Sequence, residues 1–212
     1  MAAFVIALLG AESTGKTQLA AALTQTLQQA GHDAALVTEY LRDFCDTHSR
    51  TPTRTEQAHI AAEQTRRIQS LAQRHAVVVA DTTALMTAVY SEQVFDDRSL
   101  YSIALQAHQA LDLTLLTALD IAWQADGLQR EGPQVRGPVD ALIRQALQRA
   151  NLPFSVVSGQ GQARLEQALR CVEHATGVRL SAHQENPDKL VRWRGQCERC
   201  GDAACERLCL PR

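Results

Sequence analysis

The sequence predicts a three-layer α/β fold with a five-stranded parallel sheet, and three observations support this fold class. A short apolar run at residues 4–9 leads into a glycine-rich loop, and a helical pattern follows that loop. A second run, at residues 76–81, is apolar and β-branched up to a final acid, which suits a parallel strand buried on both faces. Strand and helix patterns then alternate to residue 177. Such alternation is typical of a parallel sheet with right-handed crossovers and helices on both faces.

The predicted strands are short apolar runs, and the predicted helices repeat apolar positions at helical spacing. The strands cover residues 4–9, 34–37, 76–81, 113–117 and 154–157. The helices cover residues 19–27, 55–72, 100–110, 139–150 and 163–176, with further helical segments from residue 38 and around Tyr90. Polar residues and Pro52 predict a loop over 45–55. Thr53 and Glu56 fit a capping box, and Gly177 ends the last helix.

Length and charge limit the classes of function. The chain has 212 residues, of which 45% are hydrophobic, enough for one sizeable core. We predict one main domain at 1–178 and a Cys-rich extension at 179–212. The net charge of −2 gives no general basic field for nucleic acid or an anionic membrane. Since no apolar stretch approaches the roughly 20 residues that span a bilayer, and residues 1–9 lack a signal-peptide pattern, we expect a cytoplasmic protein.

Residues 10–17 have the spacing Gly-x-x-x-x-Gly-Lys-Thr of a phosphate-binding loop. The glycines can adopt conformations closed to other residues, so successive N–H groups can face an anion. Lys16 would reach the β- and γ-phosphates of a nucleotide, and the Thr17 hydroxyl would hold Mg²⁺. The predicted nucleotide-binding residues are Gly10, Ala11, Glu12, Ser13, Thr14, Gly15, Lys16 and Thr17.

Two acids follow predicted strands, at the carboxyl edge where open α/β sheets bind ligands. Glu39 is a candidate general base, and Arg42 would bind a phosphate or hold Glu39. The alternative is a solvated pair at the start of a surface helix. Asp81 stands at the Walker B position and would support Mg²⁺ or its waters. The alternative there is a buried strand that ends in Asp by chance.

Several polar and aromatic residues are candidates for the acceptor pocket. They include Tyr40 beside Glu39, Thr83 after the third strand, and Tyr90 on the following helix. Polar side chains of the helix at 55–72 are further candidate substrate contacts, the alternative being a helix that only covers the sheet. These are Gln57, His59, Gln64, Arg66 and Arg67.

Glycines, prolines and arginines after the fourth strand suit a mobile lid that closes over phosphates. Gly132-Pro133 and Gly137-Pro138 are expected to break regular structure. Arg130 and Arg136 are the candidate catalytic cations for charge that develops on a transferred phosphoryl group. The alternative is an exposed basic loop without such a role.

Together these residues resemble the NadR-type ribosylnicotinamide kinase domain, a P-loop kinase family of NAD salvage related in plan to deoxynucleoside kinases. The resemblance covers residues 3–177. It rests on Gly-Ala-Glu-Ser-Thr-Gly-Lys-Thr, on Glu39-Tyr40 with Arg42 and Phe44, on Asp81-Thr82 with Thr87, and on Trp123 with residues 126–128. The Trp-x-x-Asp-Gly-Leu segment is its most specific part. Thr83 departs from the family pattern, which often has Asp at that position.

The resemblance implies a P-loop kinase-like sandwich that uses ATP and Mg²⁺. The implied reaction phosphorylates the ribose 5′-hydroxyl of nicotinamide riboside, a small-molecule nucleoside, to give nicotinamide mononucleotide. Lys16 and Thr17 would then carry phosphate and Mg²⁺, Asp81 the metal shell, and Glu39 or Asp81 the hydroxyl proton. Two alternatives stay open at this point: a regulatory ATPase or GTPase switch that acts through a partner, and a kinase for another nucleoside.

The tail lies outside this family pattern. Cys197-x-x-Cys200-Gly resembles a zinc knuckle turn, and Cys205 with Cys209 would complete a tetrahedral Zn²⁺ site. An iron–sulfur cluster and free or redox cysteines are the alternatives. Trp193 between two arginines would stack on a base, but a packing role or a contact with a second copy of the chain is at least as well supported, so we expect no nucleic-acid partner.

Overall fold

The computed structural model describes residues 2–124 and 132–178. All of them belong to one unit, Met1–Leu180. The predictions made for Arg130 and for the four tail cysteines fall on residues outside this description and stay predictions, as does the division at residue 178. None of the described helices is long and apolar enough to cross a membrane.

The described part of the chain contains five strands, each followed by one or two of seven helices. The strands are β1 (Phe4–Leu9), β2 (Ala34–Val37), β3 (Val77–Asp81), β4 (Leu113–Thr117) and β5 (Ser155–Val157). The helices are α1 (Lys16–Gln29), α2 (Tyr40–His48), α3 (Gln57–Ala72), α4 (Ala84–Phe95), α5 (Tyr101–His108), α6 (Arg136–Arg149) and α7 (Gly161–Thr176). Short 3₁₀ turns at Arg54–Glu56 and Pro133–Val135 precede α3 and α6. The predicted α/β class and its five strands are confirmed.

The strands form one parallel sheet in the order β2-β3-β1-β4-β5. The central strand β1 pairs with β3 on one side and β4 on the other, and Leu8 lies opposite Asp81 while Leu9 lies opposite Leu116. The loop after β1 therefore begins beside the ends of both neighbours. Lys16 and Asp81 therefore come from neighbouring strands.

Both faces of the sheet are buried, because β1 sends apolar side chains to each. Ile6 and Leu8 pack against α1 and α7, whereas Leu9 packs against α4 and α6. Val5 packs against Ile68 of α3. Removing such a side chain from water contributes about 1.5–3 kcal/mol to folding. The continuous apolar character of the central strands thus follows from their position between two helical layers.

The predicted loop over residues 45–55 is wrong at its start, since α2 continues to His48. Phe44 and Cys45 are buried, and the His48 ring stacks on Phe44 with 4.1 Å between ring centroids. The polar residues of this stretch are therefore the exposed face of a helix. The predicted capping box of Thr53 and Glu56 is present and begins the 3₁₀ turn before α3.

The expected break is present at Gly132, which has φ 121° and lies outside any helix or strand, but it is wrong at Gly137-Pro138. Pro133 starts a 3₁₀ turn, and Gly137 and Pro138 lie in the first turn of α6. A proline near the start of a helix loses nothing there, because the first N–H groups have no partner within the helix. Gly137 and Pro138 therefore do not interrupt the helix, because the first turn of a helix accepts both residues.

A buried histidine links the sheet to the helices that cover it. His108, at the end of α5, has its Nδ1 3.2 Å from Thr83 Oγ1 and its Nε2 2.9 Å from Thr114 Oγ1. Burial lowers the pKa of His108 from 6.5 to about 4. The folded state therefore favours the neutral form of the His108 ring.

This environment predicts a loss of stability in mild acid. Because the folded pKa lies below the unfolded value, the contribution of His108 is complete above pH 6.5 and is lost as pH falls towards 4, by about 3 kcal/mol. Urea unfolding from pH 7 to 4.5 measures this. His108→Gln should lack that part of the pH dependence, whereas His174→Gln, at an exposed position, should keep it. If the free energy of unfolding depends on pH equally in wild type and His108→Gln, the low pKa assigned to His108 is contradicted.

Candidate active site

The loop between β1 and α1 forms a cradle whose backbone only certain residues can adopt. Gly10 has φ 151° and Gly15 has φ 75°, and Ser13 also lies in the left-handed region. A Cβ atom at Gly10 would lie 2.0 Å from Thr117 Oγ1, closer than any real contact. The glycine at position 10 is therefore required both by its φ angle and by the close approach of β4.

Thr117, the last residue of β4, holds this loop from the side. Its hydroxyl donates to Thr14 Oγ1 at 2.7 Å, and the Thr14 hydroxyl donates to Ala11 O at 2.7 Å. All of these groups are buried. This chain of hydroxyls fixes the curve of the loop.

Arg164 of α7 supports the same loop from the other direction. Its guanidinium donates to Thr14 O and forms an ion pair with Asp120, which follows β4. The Arg164 side chain is almost fully buried. A buried guanidinium is stable only with such partners, so Arg164 links the last helix of the unit to the first loop.

Lys16 and Thr17 open α1 and line the cavity above the loop. Lys16 Nζ donates to Ala11 O at 2.8 Å, so the ammonium group lies against the loop backbone. With the N-terminus of α1 directed at the same place, this region attracts anions.

Two carboxylates stand close to the loop. Glu39 lies between β2 and α2, with 18% of its side chain exposed, and it accepts a hydrogen bond from Arg42 Nε at 3.0 Å. Burial raises the pKa of the Glu39 carboxyl, Lys16 opposes this rise, and Asp81 adds to it. A carboxyl with a raised pKa in a cleft is suited to accept a proton.

Asp81, the last residue of β3, is 2% exposed. Its Oδ1 is buried and has no hydrogen-bond partner within the described residues. A buried carboxylate oxygen without a partner is costly, and oxygen ligands of this kind suit Mg²⁺. The residues present therefore fit a divalent cation.

A cavity of about 380 Å³ joins the loop to a second wall built from α2, α3 and α4. The loop side is formed by residues 12–18 with Ile121, Ala122 and Gln124. The second wall combines apolar and aromatic side chains with the polar residues Glu39, Arg42, Thr51, Gln57 and Thr82. Its other members are Leu41, Cys45, Pro52, Met86, Tyr90, Val94 and Phe95. The cavity thus has a phosphate-binding wall and a wall suited to a flat apolar group.

Some of the predicted acceptor residues lie elsewhere. Thr83 does not line this cavity, because its hydroxyl faces His108 and accepts from Leu85 N at the start of α4. Tyr40 lies outside it as well: its hydroxyl is 3.2 Å from His59 Nε2 and its ring is covered by Arg67. Among the predicted contacts on α3, Gln57 alone lines the cavity.

Glu12 is buried, and its carboxylate accepts hydrogen bonds from the chain that follows β4. Glu12 Oε1 accepts from Trp123 Nε1 at 2.9 Å and from Gly132 N at 3.1 Å. Next to it, Ser13 Oγ accepts from Gln124 N at 2.7 Å. The loop therefore binds the chain on both sides of residues 125–131.

Arg136, predicted as a catalytic cation on a mobile lid, lies in a helix instead. It is the first residue of α6, is 9% exposed, and donates from Nη2 to Ile121 O at 2.8 Å. Its guanidinium supports the wall of the cavity through a backbone carbonyl, and Arg136 is not among the cavity-lining residues.

The supporting residues Thr117, Asp120, Arg164 and Gln64 have no sequence motif. Each acts on backbone or side chains more than 15 residues away, so spacing along the chain carries no signal for it. The sequence signal that could have found Thr117 is its position at the end of a strand beside the loop.

Comparisons with known proteins agree with this fold. A model of the AAA domain family matches residues 5–164. No curated protein sequence matches the chain significantly. A NadR protein in complex with NAD and AMP-PNP has a similar structure, with 20% identity, a TM-score of 0.69, and coverage of 84% of this chain and 51% of that chain.

Two further structures share the fold. A NadR protein in complex with NR is 19% identical, with a TM-score of 0.70 and coverage of 84% and 52%. A thymidylate kinase from Ehrlichia chaffeensis is 12% identical, with a TM-score of 0.57 and coverage of 81% and 100%. The chain spans about half the length of the two NadR chains. The P-loop kinase fold that the resemblance implied is confirmed.

The close approach at Gly10 predicts a severe effect of one added methyl group. Gly10→Ala would force Thr117 or the loop to move, and we expect at least a tenfold loss of nucleotide affinity and about 1–3 kcal/mol of destabilisation. Calorimetric titration and urea unfolding measure these quantities. Gly137→Ala is the control, because a Cβ there meets nothing within 4 Å. Unchanged nucleotide affinity in Gly10→Ala would refute the described loop geometry.

Proposed function

Because the chain belongs to the AAA domain family and has a P-loop kinase fold, we propose that it transfers the γ-phosphoryl group of ATP to a hydroxyl of a nucleoside. The observation that carries this proposal is the shared cavity. Glu39 lines the same cavity as the phosphate loop and Lys16. A proton acceptor beside a phosphate cradle is the arrangement that phosphoryl transfer to an alcohol needs.

We further propose nicotinamide riboside as the acceptor, with nicotinamide mononucleotide as the product. The apolar and aromatic wall that includes Met86, Tyr90 and Phe95 would take the flat base. Gln57, which is buried there, would bind a polar group on that base. The sequence resemblance to the NadR-type domain and the structural likeness to a NadR protein in complex with NR support this choice.

The chemistry follows from the residues around the cavity. The acceptor oxygen attacks the γ-phosphorus, the bond from that phosphorus to the bridging oxygen breaks, and ADP leaves with the electron pair. The hydroxyl proton passes to the Glu39 carboxylate, whose raised pKa favours protonation. Lys16 and the N–H groups of the loop hold the phosphates in line.

Mg²⁺ would be held by Thr17 and Asp81, and when bound it would neutralise charge on the phosphates. We assign Asp81 to the metal shell because its buried Oδ1 has no partner within the described residues. We assign the proton to Glu39 because Glu39 lines the cavity and Asp81 does not.

A nucleoside panel tests the proposed reaction. With ATP and nicotinamide riboside, the protein should release ADP only when the acceptor is present. Lys16→Ala should abolish this release and weaken nucleotide binding, since it removes the charge next to the loop. Arg170→Ala removes an exposed cation and should leave both unchanged. ADP release that is slow and independent of every nucleoside would refute the kinase and favour a regulatory ATPase.

Substitutions of the acids test their separate roles. Glu39→Gln should lower kcat by about 10²–10⁴-fold with nucleotide affinity retained. Because the Glu39 pKa is raised, wild-type activity should fall on acidification at a higher pH than for an ordinary Glu, and the variant should lack this limb of the pH–rate profile. Asp81→Asn should instead raise the Mg²⁺ concentration needed for half-maximal rate.

Asp46→Asn, at an exposed position on α2, is the matched control for these acids and should behave as wild type. Full activity of Glu39→Gln with an unchanged pH–rate profile would contradict its role as the base.

A further inference from the structure

One buried side-chain amide contacts three backbone groups beneath the candidate active site. Gln64 lies in the middle of α3 and is 2% exposed. Its Oε1 accepts from Tyr40 N at 2.8 Å. Its Nε2 donates to Thr82 O at 3.3 Å and to Thr38 O at 3.4 Å. These groups belong to the chain directly after β2 and directly after β3.

The three backbone groups are the immediate neighbours of the two candidate acids. Thr38 and Tyr40 flank Glu39, and Thr82 follows Asp81. The backbone that carries both carboxylates is therefore tied to a single planar amide. Since rotation of either peptide segment would break one of these bonds, Gln64 limits how the two acids can move relative to each other.

The backbone at Thr82 shows why such a tie is needed. Thr82 has φ 80°, a left-handed conformation that a β-branched residue rarely adopts. Its N–H donates to Leu8 O at 3.1 Å, and its carbonyl accepts from Gln64. A strained residue persists only where surrounding bonds determine its conformation. Two hydrogen bonds hold the backbone of Thr82: its N–H is held by Leu8 O, and its carbonyl is held by Gln64.

Only a side chain with both donors and an acceptor at this reach can serve these groups. Glutamine provides one carbonyl oxygen and two N–H donors on one plane. Methionine has a similar length and no N–H donor, and an ionised glutamate keeps the acceptor but has no donor. A Met substitution therefore removes all three hydrogen bonds, whereas an ionised Glu removes only the two that Gln64 donates.

We propose that Gln64 is a positioning residue, which holds Glu39 and Asp81 in register for transfer to the acceptor hydroxyl. It does not line the cavity, so it acts through the backbone of those acids. The inference rests on the kinase activity proposed above. The phosphate loop has its own supports in Thr117 and Arg164, so nucleotide binding should be independent of Gln64.

Gln64→Met tests the proposal, with Gln69→Met as the matched control at an exposed position of the same helix. With ATP and nicotinamide riboside, Gln64→Met should lower kcat by 10- to 100-fold while the KM for ATP stays within twofold. Gln69→Met should leave both unchanged. A loss of ATP affinity as large as the loss of kcat, or an unchanged kcat, would overturn the positioning role.

Amide hydrogen exchange supplies a readout that does not depend on activity. In Gln64→Met the N–H of Tyr40 loses its acceptor, so its exchange should accelerate at least tenfold while amides of residues 10–17 keep their rates. Unchanged exchange at Tyr40 would overturn the bond network itself. If wild type transfers phosphate to no nucleoside, the proposed function fails, and the exchange result still decides whether Gln64 holds this backbone.

Gln64→Glu provides a second variant in case Gln64→Met does not fold. It keeps the acceptor for Tyr40 N–H and loses the donors to Thr82 O and Thr38 O. We expect protection of Tyr40 to be retained and kcat to fall at least fivefold at neutral pH. A kcat equal to wild type in this variant would refute the contribution of the Thr82 bond.

Discussion

The parallel pairing of β1 with both β3 and β4 is the constraint on which the candidate site depends. It sets Leu8 opposite Asp81 and Leu9 opposite Leu116, so the loop after β1 starts between the ends of two other strands. A shift by one residue would reverse the faces of every side chain in β1 and remove Thr117 from its place beside Gly10. The apolar layers on both faces oppose such a shift, because they require Ile6 and Leu8 on one side and Leu9 on the other.

Around this edge, buried polar side chains act mostly on backbone. Thr117 and Arg164 determine the shape of the phosphate loop, and Gln64 determines the path of the chain beside the two acids. These bonds restrict the conformations of the loop, and such restriction reduces the entropy that binding must overcome. Preorganised donors of this kind are also what phosphoryl transfer requires, since the protein contributes mainly alignment and charge. The proposed function and the observed support of the loop are consistent with each other on this point.

Local patterns were enough to predict the strands and the phosphate loop, because each depends on residues adjacent in sequence. The residues of β1, β2 and β4 coincide with their predicted runs, and the loop lies between strand and helix as expected. Patterns were not enough for Thr83, whose hydroxyl faces His108, or for Arg136, whose burial depends on its contact with Ile121. The length of α2 was missed because its polar residues resemble a loop until the burial of Phe44 is known. In each case the deciding information is a tertiary contact or the burial of one helix face, and neither can be seen from the local sequence.

The bond from Arg164 to Thr14 O has a consequence for the order in which the protein can mature on the ribosome. The glycine-rich loop is translated long before Arg164, yet its Thr14 carbonyl receives this buried donor only after α7 has been made. Vectorial synthesis normally lets early segments settle first. Here an early segment depends on a later one, so a nascent chain that stops before α7 presents the loop without its buried donor from Arg164.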